Sequence, residues 1–134
     1  MDLFDVSTDL GAALGTIDGL RIFPYWAEKI TPPAAVVEWP ESIAYDATMM
    51  RGADRLTLPV LVAVGKADMR SAWEQLAAYA DGSGSSSVKA AIERHAPISY
   101  DSARVTRVEF GITVVASVDY LAATFTVDLI GSGA

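Results

Sequence analysis

The sequence contains no cysteine and a single histidine, His95. Without cysteine there are no disulfides and no thiolate metal sites, and nothing marks a redox compartment. With one histidine, an imidazole metal site would need carboxylates for its other ligands, and no Asp or Glu spacing suggests such a set. A nucleophile activated by histidine would have to use His95, but there is no G-x-S-x-G elbow to present a serine to it. Long apolar runs are also missing: the longest, Leu58 to Val64, is far short of the ~20 residues a bilayer-crossing helix needs. Basic residues are few, ten against seventeen acidic, for a net charge of −7. That balance argues against gripping nucleic acid, which uses clustered Lys and Arg to hold phosphates. The opening Met-Asp-Leu-Phe-Asp is acidic where an export signal would be basic, so none is expected. No repeat and no long linker divides the chain, and its 134 residues are read as one domain, 1–134. Hydrophobic residues nonetheless make up 51% of it, a surplus that subunit association would bury.

What is present is organised around Arg55 to Asp81. Leu56, Leu58, Val60, Val62 and Val64 fall on one side of an extended chain, and Thr57, Pro59, Leu61 and Ala63 on the other, which predicts a strand with at least one apolar face. After Gly65 and Lys66 the period changes to that of a helix, with Met69, Ala72, Trp73, Leu76, Ala77 and Ala80 as its stripe. Such a helix must lay its stripe on a sheet, and the strand before it is the obvious floor. Trp73 in that stripe is expected in the core, where truncation to alanine costs ~3 to 5 kcal/mol. Two helix starts compete, Asp68 as a simple cap or Ser71 with Glu74 as a capping box; Asp68 is favoured because it keeps Met69 in the stripe.

Before this unit, Leu3, Val6, Leu10, Ala13, Leu14 and Ile17 predict an N-terminal helix ending near Gly15. Leu20 to Trp26 reads as extended, limited by Pro24; Ala34 to Trp39 reads as a strand, with Ser42 to Thr48 returning as its hairpin partner. After it, Gly82 and Gly84 stop the central helix, and Ser86 or Ser87 caps a short second helix burying Val88, Ala91 and Ile92. Ala103 to Phe110 and Tyr120 to Ile130 close the chain as strands, with a further extended piece at Val114 and Val115 left open.

Candidates for chemistry are few. Asp5 and Asp9 pair on the first helix, but without a third ligand they read as a solvated first turn. His95 reads as a helix-end or partly packed histidine with no visible partner, and its replacement is expected to leave function intact. Tyr100 and Asp101 fall in a turn, and Trp26, Trp39 and Trp73 read as core or interface residues rather than pocket walls. The D-G-S-G-S-S-S loop follows a helix and lacks the ending of a P-loop, so phosphate binding is not expected. No catalytic, cofactor or metal site is assigned.

Two stretches carry a likeness. R-G-A-D-R-L-T-L-P-V-L-V-A-V-G from Arg51 to Gly65, with the helix bearing Trp73, and D-G-S-G-S-S-S-V-K-A-A-I-E from Asp81 to Glu93 resemble the tail terminator proteins of siphophages infecting actinobacteria, similar to the lambda-type family. The resemblance implies an α+β fold: one mixed, mainly antiparallel sheet with an N-terminal helix and a central helix pair packed on one face. It also implies a non-enzymatic structural protein of the virion that forms a ring, usually of six subunits, at the head-proximal end of the tail, assembled in the host cytoplasm. Such a ring ends growth of the tail tube, binds the tail tube protein and a neck or head-completion protein, and lets the genome DNA pass without specific binding. Another phage neck or tail component, or a small-molecule-binding α/β domain, are the rival readings. Within a ring, the loop 46–55 is the expected subunit contact, through Met49, Met50, Arg51, Asp54 and Arg55. Adjacent methionines cannot both turn inward from a tight loop, and exposed Met beside Arg is the composition of an interface centre. The competing reading is a surface loop whose charges pair within the subunit.

Overall fold

The alternation at 56–64 builds the central strand of the sheet. A computed structural model of the chain describes residues 2–23, 31–45, 53–66, 70–115 and 117–132. In chain order these form α1 (Leu3–Leu14), β1 (Arg21–Phe23), β2 (Ala34–Val37), β3 (Ile43–Ala44), β4 (Ala53–Gly65), α2 (Arg70–Ala80), α3 (Val88–Arg94), β5 (Ser102–Val115) and β6 (Val118–Ser132). The strands make one six-stranded sheet in the order β1-β2-β4-β6-β5, with β3 also paired to β4. Among the described residues only β1 and β2 run parallel; the other pairings are antiparallel. The α+β class and the mixed, mainly antiparallel sheet are as expected.

Side-chain alternation gives the sheet two different faces. Leu56, Leu58, Val60 and Val62 of β4, with Leu121, Ala123, Phe125, Val127 and Leu129 of β6, share one core with all three helices. To that core α1 contributes Val6, Leu10 and Leu14, and α3 contributes Val88, Ala91 and Ile92. The helices therefore lie on one face. A smaller apolar cluster of Ala34, Val36, Leu61, Ala63 and Ala122 forms on the other.

Two local expectations are corrected and one open question is answered. The segment after Trp39 does not turn back onto β2. Residues 34–37 pair with 60–63 of β4, and Ile43 and Ala44 pair with Leu56 and Arg55, so the chain keeps its direction along one edge of β4. Pro40, with no N–H to give the ladder, lies in the interruption between them.

The phase of α2 is the second correction. Ala72 and Leu76 are buried as expected, but the third buried residue is Tyr79, while Ala77 is exposed and Trp73 is 54% exposed. A Cβ at Gly65, whose φ is +147°, would lie 3.7 Å from the Ala72 Cβ. The first turn of α2 thus rides close to the end of β4, with Ala72 as its inward residue. Ser71 lies inside the helix, so it is not the cap; Asp68 and Met69 lie outside the described residues.

Third, the open question at Gly111–Asp119 resolves into a continuation. β5 extends to Val115 and β6 begins at Val118, the two pairing up to Val115 opposite Val118, with Ser117 at φ 64°. Helix caps follow the sequence more closely. Asp2 caps α1, accepting from the Phe4 and Asp5 amides, and Ser87 caps α3, accepting from the Ala90 amide and donating to the Asp81 carbonyl.

Candidate functional site

Asp9 is engaged by three groups from a distant part of the chain. It sits mid-way along α1, nearly buried. One carboxylate oxygen lies 2.5 Å from His95 Nε2 at the end of α3, and the other accepts from the Ile98 and Ser99 amides at 2.7 and 2.9 Å. Burial works to raise its pKa, but hydrogen bonds from Ser99, His95 and Ile98 outweigh that and hold it below the ordinary carboxylate value. The reading of Asp9 as a solvated residue is therefore corrected: only Asp5 of the pair is exposed. His95 likewise has a partner, so the ground for expecting its replacement to be silent does not hold.

Tyr100 is buried beside this cluster, and its hydroxyl has no hydrogen-bond partner among the described residues. Burial, with the nearby Asp9 charge, pushes its pKa up to about 12. Chemically, the arrangement ties α1 to the connection between α3 and β5. A second tie docks α3 on β5: Glu93 accepts from the Val105 amide and pairs with Lys89. No group of three or more potential metal ligands occurs among the described residues.

The expected contact loop is only partly described. Met49, Met50 and Arg51 lie outside the described residues. Asp54 and Arg55 belong to β4, opposite Gly131 and Ile130, rather than to a loop. Asp54 is buried. Arg55 is exposed but lies 3.7 Å from Asp128, which also accepts from the Thr57 hydroxyl at 2.6 Å, so its charge is paired within the subunit.

The surface features of most consequence were not singled out in the sequence. Among the described residues β5 ends the sheet, pairing only with β6, with a register shift between Val105 and Arg107. Phe110 and Ile112 stand opposite Ala123 and Leu121, which are core residues of the helix-covered face, yet Phe110, Ile112 and Val114 are 59%, 55% and 61% exposed. The seven-residue α3 covers only the nearer part of β5, where Val105 is buried. Two concavities flank this edge. One, of 320 Å³, is lined by Lys89, Arg104, Arg107, Val108 and Phe125 among others; the other, of 470 Å³, by Glu38, Leu61, Arg107, Glu109, Thr124 and Thr126 among others.

A second apolar patch lies toward the opposite side. Phe4 of α1 and Trp39 after β2 meet edge to face, with ring centroids 5.5 Å apart, and both are more than half exposed. Asp2, Asp5, Glu38 and Glu41 neighbour them in sequence, and 2–20 and 31–45 contain no Lys or Arg. Burial pushes the Glu38 pKa up. Alternation alone could not reveal the β5 stripe, because F-G-I-T-V reads the same whether its apolar side meets a core or another molecule. No protein-family model matches the chain, and no curated protein matches it in sequence.

Proposed function

We propose that this chain is a structural subunit that assembles into a ring capping a phage tail tube, ending tube growth and forming the surface to which the filled head docks. The reading rests on the resemblance of 51–65 and 81–93, and the observation that carries it is the β5 edge. Beyond the bulge between Val105 and Arg107, β5 continues as an edge strand to Val115, and its half-exposed apolar stripe of Phe110, Ile112 and Val114 is a surface that invites another chain. The subunit acts by adhesion and catalyses no reaction. It meets the tail tube protein on one side and a neck or head-completion protein on the other, at the head-proximal end of the tail in the virion. The acidic balance suits a ring through which DNA must slide, since a cationic lumen would hold phosphates.

Size-exclusion chromatography with light scattering, followed by negative-stain imaging, tests the reading directly, with and without tail tubes. Rings of uniform size, free or on tube ends, are the expected result. A protein that stays a compact monomer in both conditions overturns it.

A further inference from the structure

We propose that Lys89 and Glu93 of α3 stand in for a neighbouring strand at Val105, closing that end of the β5 edge so that another chain can add to it as a strand only beyond the bulge. In a strand the N–H and C=O of one residue point the same way, and on an edge every second residue turns both outward. Val105 is such a residue. It stands opposite Val127 of β6, yet its amide donates to a Glu93 carboxylate oxygen at 3.0 Å and its carbonyl accepts from Lys89 Nζ at 3.4 Å. One residue of an added strand would offer the same two groups, an acceptor for the N–H and a donor for the C=O.

The helix is built to hold these side chains there. Lys89 and Glu93 are one turn apart and pair with each other, while Val88, Ala91 and Ile92 bury the adjoining side of α3 in the core. Burial works to raise the Glu93 pKa, but Lys89, the Val105 amide and the nearby Arg104 charge outweigh it, so the acceptor is a carboxylate at neutral pH. Hydrogen bonds to an ionised group are the stronger kind. The bulge completes the closure. Between Val105 and Arg107 the register against β6 shifts at Thr106, whose hydroxyl donates to the Thr126 carbonyl at 3.4 Å. A bulge breaks the regular spacing of an edge, so a strand paired beyond it does not simply run on past it. The edge is thereby divided into a part up to Val105, held by α3, and 107–115, which carries the exposed Phe110, Ile112 and Val114. This division holds whether or not the subunit forms a ring.

Residue-resolved amide hydrogen exchange and sedimentation velocity, over a range of protein concentrations, test it. In the wild-type protein the Val105 amide should exchange slowly even when dilute. In dilute Glu93→Ala it should exchange about tenfold faster or more, through loss of a bond to a charged acceptor. As the concentration rises, this variant should associate several-fold more strongly than wild type and regain protection at Val105, because the strand within reach of an opened edge is then another copy's. Glu93→Gln keeps an acceptor oxygen and should stay close to wild type in both readouts. Ile92→Val, at a buried position of the same helix, controls for plain destabilisation: its melting temperature should fall while its association stays at the wild-type level. A dilute Glu93→Ala chain whose Val105 amide stays slow overturns the proposal. A fast amide without added association, or an equal gain in association by Ile92→Val, reduces the contact to a tie that holds α3 in place and overturns the closure. Should Glu93→Ala fail to fold, Lys89→Ala frees the Val105 carbonyl and keeps the carboxylate. It should then raise association in the same way, and a Lys89→Ala chain that associates no more than wild type overturns the proposal.

Discussion

Asp9 shows how a residue can be read correctly as acidic and wrongly as solvated. Its partners, His95 and the Ile98 and Ser99 amides, lie 86 to 90 residues away, beyond the reach of any local spacing rule. Asp9→Ala removes the acceptor for two amides and an imidazole in a nearly buried place, so it should cost about 3 kcal/mol, read as a lowered denaturant midpoint. The same carboxylate sets a pH dependence. Its folded pKa lies below the free value of 3.8, so the stability it contributes is complete above that value and is lost as the pH falls through the lower folded one. Asp9→Asn should therefore flatten the acid limb of the stability profile in denaturant titrations. The flattening will be partial, because Glu93 is also held low, burial being outweighed by Lys89 and the Val105 amide.

Tyr100 works in the opposite sense. Its pKa rises to about 12 on folding, so its contribution is intact below pH ~10, the value of an unperturbed tyrosine, and drains away as the pH climbs through the folded value. Its hydroxyl is buried without a partner among the described residues, and an unpaired buried polar group costs about 1 to 3 kcal/mol. Tyr100→Phe should thus leave the protein equally or more stable at neutral pH and weaken its alkaline sensitivity. A clear loss of thermal stability at pH 7 would show that the hydroxyl has a partner after all.

Among the elements, those with repetitive patterns were legible and those needing a choice of partner were not. The strand at Tyr120 to Ile130 and the buried set Val88, Ala91 and Ile92 of α3 are found where expected, because each depends only on neighbours in the chain. The phase of α2 was ambiguous in principle: Ala72 and Leu76 belong both to a stripe that includes Trp73 and to one that includes Tyr79. Contact with the end of β4 decides for the second. The direction of β3 was equally undecidable, since a proline can mark a reversal or a gap in a continuing strand. The resolved phase yields a paired test. Leu76, 2% exposed, should cost about 2 to 5 kcal/mol on truncation to alanine. Trp73, half exposed, should cost about 1 kcal/mol, far below its expectation as a core residue. Equal shifts in melting temperature for the two variants would return Trp73 to the core.

At the scale of the whole molecule, the candidate contact surface was the least legible part, because hydropathy does not say which apolar residues stay uncovered. Whole-molecule charge also makes the assembly testable through salt. Each subunit carries −7, and a domain of this length is about 35 Å across, so two such bodies in contact repel by about 6 kcal/mol in water without screening. With a Debye length of about 30 Å at 0.01 M salt and about 8 Å at 0.15 M, that repulsion falls from about 2 kcal/mol to nearly nothing between the two conditions. Exposed charged pairs between subunits are worth about 0.2 to 1 kcal/mol each, and salt weakens them too. The apolar part of the contact is not weakened by salt. Repulsion between the bodies is the larger salt-dependent quantity, so association should strengthen by about tenfold over this range, the equivalent of ~1.4 kcal/mol. The charged pairs then fix orientation, and the apolar stripe supplies most of the affinity. Sedimentation velocity of the wild-type protein at the two salt concentrations reads this directly. Weakening with added salt would mean that charge pairing dominates the contact, and that Phe110, Ile112 and Val114 contribute little to it.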